Sequence, residues 1–175
     1  MNYKLLKLRL KIGWMKLKGK ISRLEKSSDF TVTNIDSPSL LLFFPVSKDF
    51  ISRSVEELPS IINSQIGNDA NFTFILNTNI EEKINLSGVE MHTLLVFKSG
   101  KIDNAEKITD RIFFKKFDII IDLNINFNLD IALMINKLES TYKIGFKSDF
   151  SDLFYNVQLS GGGDNPYSHI KEIIS

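Results

Sequence analysis

The chain has 175 residues, 43% of them hydrophobic, with 14 Phe and a net charge of +1, which supplies apolar material for one substantial core. No apolar run approaches the roughly 20 residues that cross a bilayer; the longest, Leu40 to Val46, contains Pro45, and Lys or Arg at short intervals from Lys4 to Lys20 rules out a signal-peptide core. Cysteine is absent and the only histidines are His92 and His169, which excludes disulfides, thiolate chemistry and a zinc site built on histidine alone. A cytoplasmic protein without metal or cofactor is the expectation.

The near-neutral total conceals an asymmetry. Residues 1–26 hold nine basic residues (Lys4, Lys7, Arg9, Lys11, Lys16, Lys18, Lys20, Arg23 and Lys26) against Glu25 alone, a charge of +8, and the remainder carries −7. A basic arm ahead of an acidic body predicts contact with something anionic: a membrane surface, nucleic acid or the body itself. In a helix, Leu6, Leu10, Trp14, Leu17, Ile21 and Leu24 form one apolar stripe. Lys7 to Ile12 also alternates as a strand does, and Gly13 and Gly19 each weaken a helix by about 1 kcal/mol relative to Ala. Lys4, Lys7, Arg9, Lys11, Trp14, Lys16, Lys18, Lys20 and Arg23 are the candidate membrane or anion contacts. Asn34 to Ser39, with Pro38, reads as a linker, so the arm is placed at 1–38 and the folded domain at 39–175.

Beyond Ser39, strand-like and helix-like segments alternate, the pattern of a parallel sheet with crossover helices. Leu40–Phe44 is wholly apolar, as a strand covered on both faces must be. A helix is predicted over Ile51–Ile66 from Val55, Leu58, Ile62 and Ile66, with a kink or early break at Pro59. Strands follow at Phe72–Leu76 and Thr93–Phe97, with a short helix or turn at Glu81–Leu86 between them. A helix over Ala105–Lys116 is expected to bury Ile108, Ile112 and Phe113. Asp118–Leu123 is the fourth strand, Asn128 caps the next helix, and Ile131, Met134, Ile135 and Leu138 form its buried face. Strands at Tyr142–Phe146 and Asn156–Leu159 and a helix over Pro166–Ile174 complete a single doubly wound, Rossmann-like α/β domain of about five to six parallel strands behind a basic N-terminal helix.

Few constellations in this sequence carry chemistry. Gly161-Gly162-Gly163-Asp164 matches neither the P-loop nor the dinucleotide fingerprint and reads as a flexible connection. Asp49 follows the first strand, at the edge where open α/β sheets place ligands, and serves as a general base or as a cap of the next helix. Asp118 and Asp122 occupy opposite ends of one strand, too far apart to cooperate, and Asp122 is the better placed. His92 and His169 read as surface histidines.

The segment FKKFDIIIDLNINFNLDIALMINKLESTYKIGF, residues 114–146, places an "FD-hydrophobic-IDL" strand, a helix and an "IGF" strand in one order, and FYNVQL with a helix containing His169 follows. In this the chain from Leu40 to Ser175 resembles the N-terminal, acceptor-side half of glycosyltransferase family 9, the heptosyltransferase-like enzymes. The resemblance implies that Asp49 corresponds to the base of that family's Gly-Asp loop, although Lys48 stands in the glycine's place. In the family a second domain binds the nucleotide-sugar donor, and this chain ends at Ser175. The sequence also looks like small single-domain proteins of Bacteroidetes-type bacteria, a similarity that implies a fold and no activity. The resulting expectation is a non-catalytic binding or scaffold protein, derived from an acceptor domain, at the cytoplasmic membrane face or in a larger complex. Its alternatives are a nucleic-acid or ribosome-associated protein using the arm, and the acceptor half of a split glycosyltransferase.

Overall fold

Six parallel strands in the order β3-β2-β1-β4-β5-β6 form one sheet in the computed structural model, which describes residues 3–22, 24, 36–64, 66–78, 80, 84, 86, 88–162 and 165–174. The strands are β1 (Ser39–Phe43), β2 (Asn71–Asn77), β3 (Glu90–Leu94), β4 (Lys116–Asp122), β5 (Glu139–Phe146) and β6 (Val157–Leu159). The helices are α1 (Tyr3–Leu17), α2 (Lys48–Ile62), α3 (Ala105–Ile112), α4 (Leu129–Lys137) and α5 (Ser168–Ile174). This is the expected α/β, Rossmann-like architecture.

Parity along the central strands explains why they are apolar throughout. Leu40 and Leu42 of β1 and Ile119 and Ile121 of β4 enter one core layer with Ile51, Leu58 and Ile61 of α2 and Ile170 of α5. Leu41, Phe43 and Ile120 enter the opposite layer with Ile108 and Ile112 of α3 and Ile131 and Ile135 of α4. The central strands therefore feed two cores, and from Leu40 to Phe43 no position on β1 is left for a solvent-facing residue.

Four segments depart from the sequence expectation. Helix α2 continues through Pro59 to Ile62, and Asn63 N–H closes onto the Pro59 carbonyl at 2.9 Å. Pro59 is exposed, so its missing donor faces water while buried Leu58 and Ile61 hold the turn from within. Strand β3 starts at Glu90 and ends at Leu94, earlier than its apolar run suggests, because this edge strand carries polar residues. Leu95 and Phe97, half exposed, instead belong to a turn in which Phe97 N–H donates to the Lys101 carbonyl and Gly100 takes φ 81°. Helix α3 stops at Ile112, so Phe113 is 49% exposed rather than buried; the chain must reverse there to begin β4 at Lys116. The predicted turn at Glu81–Leu86 falls largely outside the described residues, as do Gly163 and Asp164.

The arm is the fourth departure. Tyr3–Leu17 is helical, but the face laid on the body is Leu5, Leu8 and Ile12, with Ile12 only 4% exposed in the α3/α4 core layer. In the stripe singled out from the sequence, Leu6, Leu10, Trp14 and Leu17 are 37%, 67%, 52% and 88% exposed. Only Ile21 of that stripe packs on the core layer, and Leu24 is half-buried. The helix is apolar on two opposite sides, which sequence spacing alone allows to be read either way round.

Candidate functional site

In open α/β sheets ligands gather beyond the carboxyl ends of the strands where the strand order reverses. Here that point lies between β1 and β4, which pair in parallel from Leu40 and Ile119 to Phe43 and Asp122. A cleft of about 110 Å³ opens there, lined by Pro45, Val46 and Ser47 from one loop, Phe50 from the first turn of α2, and Asn124 to Asn128 from the other loop. Pockets for drug-sized ligands run to about 300–1,000 Å³, so this cleft admits only a small group.

The polar groups beneath the cleft are engaged with one another. Asn124 accepts from Val46 N–H at 2.9 Å, and its amide donates to the Phe44 carbonyl at 3.3 Å and to Asp122 Oδ1 at 2.7 Å. Asn124 N–H donates to the same Oδ1 at 2.9 Å, and the Tyr155 hydroxyl donates to Asp122 Oδ2 at 2.5 Å. Tyr167 OH donates to the Leu123 carbonyl at 3.0 Å, and Asn77 donates to the Pro45 carbonyl at 2.6 Å. The network ties the loops after β1 and β4 together. Burial pushes the Asp122 carboxyl up to about 6 against the three hydrogen bonds that favour its ionised form. Tyr155 is pushed well above its ordinary value by its own burial and then by the adjacent Asp122 charge.

Asp49 does not join this network. It is exposed in the first turn of α2, two residues after the N-cap position Ser47, and its recorded contact is a long 3.4 Å bond from the Ser47 hydroxyl. There it complements the positive end of the helix without capping it. Asp118 accepts from Ser39 N–H at 2.8 Å and so fixes the start of β1. His92 lies 2.9 Å from Glu90 on the edge strand, and the Lys115 ammonium also contacts Glu90, holding that carboxyl below its ordinary value. His169 sits on α5, remote in sequence from either. No group of three His, Asp or Glu suited to a metal ion occurs among the described residues.

Comparison with family models, with curated proteins and with solved structures finds no match for this chain. Its function must therefore be argued from its own surfaces.

The outer side of α1 is the other candidate. With 3.6 residues per turn, Tyr3, Leu6, Leu10, Trp14 and Leu17 fall within an arc of about 80° on the side opposite Leu5, Leu8 and Ile12. Lys7 borders that arc with Lys11 beyond it on one side, and Arg9 and Lys16 lie further round on the other, towards Leu5, all exposed. Past the helix end, the Lys18 and Lys20 ammoniums stand 4.0 and 6.0 Å from the Trp14 ring centre. The Lys4 side chain and all of Arg23 lie outside the described residues.

The body holds this helix by three means. Beyond the packing of Ile12, Arg9 pairs with Asp149 at 3.0 Å, a half-exposed ion pair that adds orientation more than stability. Asn136, at the end of α4, exchanges two hydrogen bonds with the Ser22 backbone, at 2.8 and 3.1 Å. Nearby Lys143 is buried, its ammonium 3.4 Å from the Asn136 carbonyl, and burial lowers its pKa. Neither Asn136 nor Lys143 carries a sequence signal, since each sits in an otherwise ordinary helix end or strand.

Proposed function

We propose that this chain is a non-catalytic binding or scaffold module, a glycosyltransferase-like α/β body that holds α1 against itself and offers the helix's outer face to a partner. One observation carries the reading. The helix is seated through Leu5, Leu8 and Ile12, while five large apolar residues on its far side are 37% to 88% exposed. Large apolar residues grouped in one exposed stripe mark an interaction surface, whereas scattered ones need no explanation. The switch-point cleft supports the non-catalytic half of the proposal, because its side-chain polar groups serve the loops themselves and Asp49 stands apart from them. Descent from a family 9 acceptor domain rests on the sequence resemblance of residues 114–146.

The test is fractionation of cell extracts containing the full chain or its Leu10→Gln/Leu17→Gln variant. The wild type is expected in a particulate or high-mass fraction and the variant in the free fraction, with equal melting temperatures. An unchanged distribution would remove the outer face from the account.

A further inference from the structure

We infer that the partner of the outer α1 face is an anionic lipid bilayer surface, an inference that rests on the binding-module reading and names its occupant. The composition of the face selects this partner. Tyr3, Leu6, Leu10, Trp14 and Leu17 form an apolar ridge, with Lys7 and Lys11 along one long side and, further round on the other, Lys16 beside the Arg9 that pairs with Asp149. No acidic residue occurs between Tyr3 and Ser22. A helix lying in a bilayer interface needs this cross-section: apolar side chains entering the acyl boundary, with lysines and arginines at headgroup level on either flank.

The aromatic residues fit the same plane. Trp14 and Tyr3 stand at opposite ends of the ridge, each amphipathic and suited to the headgroup boundary. Lys18 beside the Trp14 ring brings an ammonium to the level where anionic headgroups lie.

Other occupants match less of the face. Nucleic acid would use the cations but leave the ridge in water. A second copy docking the same face would bring two sets of cations together. A bilayer uses both features, and the body supplies a further advantage. Free amphipathic arms must become ordered as they bind, whereas this helix is already held by Ile12, by the Arg9–Asp149 pair and by the Ser22–Asn136 bonds. Its apolar inner face, used up on the body, leaves only the outer one to reach lipid.

Vesicle flotation of the full chain tests the inference with phosphatidylcholine vesicles, the same vesicles containing phosphatidylglycerol, high and low salt, and a competing RNA oligonucleotide. The wild type is expected to float with phosphatidylglycerol vesicles at low salt and to be released by high salt. Lys7→Glu/Lys11→Glu should lower the bound fraction about tenfold or more, because each cation near an anionic surface contributes to affinity. Leu10→Gln/Leu17→Gln should lower it comparably, with both variants retaining the wild-type melting temperature. Equal flotation on pure phosphatidylcholine, or indifference to the charge reversal, would overturn the anionic-lipid inference. So would RNA binding that the charge reversal abolishes and the leucine substitutions leave intact. Absence of flotation together with a particulate wild type that Leu10→Gln/Leu17→Gln releases would overturn the lipid inference while leaving the binding-module reading in place.

Discussion

Asp122 is the ionisable group whose environment differs most sharply from water, and replacing it with Asn gives a quantitative test of the switch-point network. The carboxyl is buried, and its value is raised from 3.8 to about 6. An acid raised on folding destabilises the ionised native state. Its stabilising contribution is present below pH about 4, declines as pH rises through the interval up to about 6, and is lost above it. A displacement of this size corresponds to roughly 2 to 3 kcal/mol across that window. Asp122→Asn removes the titration and keeps an oxygen to accept from Asn124, while its amide can only donate, so the Tyr155 hydroxyl, a donor to Oδ2 in the wild type, turns to accept. Urea unfolding of both proteins from about pH 4 to about pH 7 should show the variant gaining on the wild type by roughly 2 to 3 kcal/mol as pH rises. Differencing the two proteins cancels every other carboxylate. Parallel curves would show that Asp122 ionises as it does in water, and a gain on acidification would reverse the sign of the argument.

Three further outcomes follow from particular contacts. A Cβ on Gly145 would stand 2.7 Å from the Tyr155 ring, so Gly145→Ala should destabilise by about 1–3 kcal/mol, and adding Tyr155→Phe should cost less than the separate effects combined, as measured by denaturation. Gly13 has nothing within 4 Å of an added Cβ, so Gly13→Ala should stabilise α1 by up to about 1 kcal/mol, read as slower amide exchange within Tyr3–Leu17. Asp49→Ala should change stability by no more than about 0.5 kcal/mol, and calorimetry with a panel of nucleotide sugars should show no saturable binding by either protein. Saturable binding that Asp49→Ala abolishes would restore a catalytic reading.

The sheet was legible because buried parallel strands need apolar residues on both faces, and Leu40–Phe43 and Ile119–Ile121 supply them without interruption. Asn128 was legible as a cap for a local reason: its side chain accepts from the N–H groups of Asp130 and Ile131. The edge strand was misplaced because its outer residues, Glu90 and His92, are polar, while the apolar Leu95 and Phe97 belong to an exposed turn. Phe113 was expected inside because helical spacing says nothing of where the chain must turn back. At the candidate site, Asp122 was preferred over Asp118 for its place at the strand end. Its partner Tyr155 lies 33 residues away and leaves no local pattern, whereas Asn124, two residues on, is a local partner whose role depends on the burial that the fold supplies. The arm shows the same limit. Two apolar stripes share one helix, and only the body decides which of them it covers.

The most direct measurement of the central claim is the emission of Trp14, the only tryptophan, which lies on the outer face and is half exposed. The free protein should emit as a solvent-exposed indole, and vesicles containing phosphatidylglycerol should shift the maximum to the blue at low salt but not at high salt. A maximum already blue-shifted in the free protein and unmoved by those vesicles would place Trp14 in a protein contact and contradict the assignment of the outer α1 face as a lipid-docking surface.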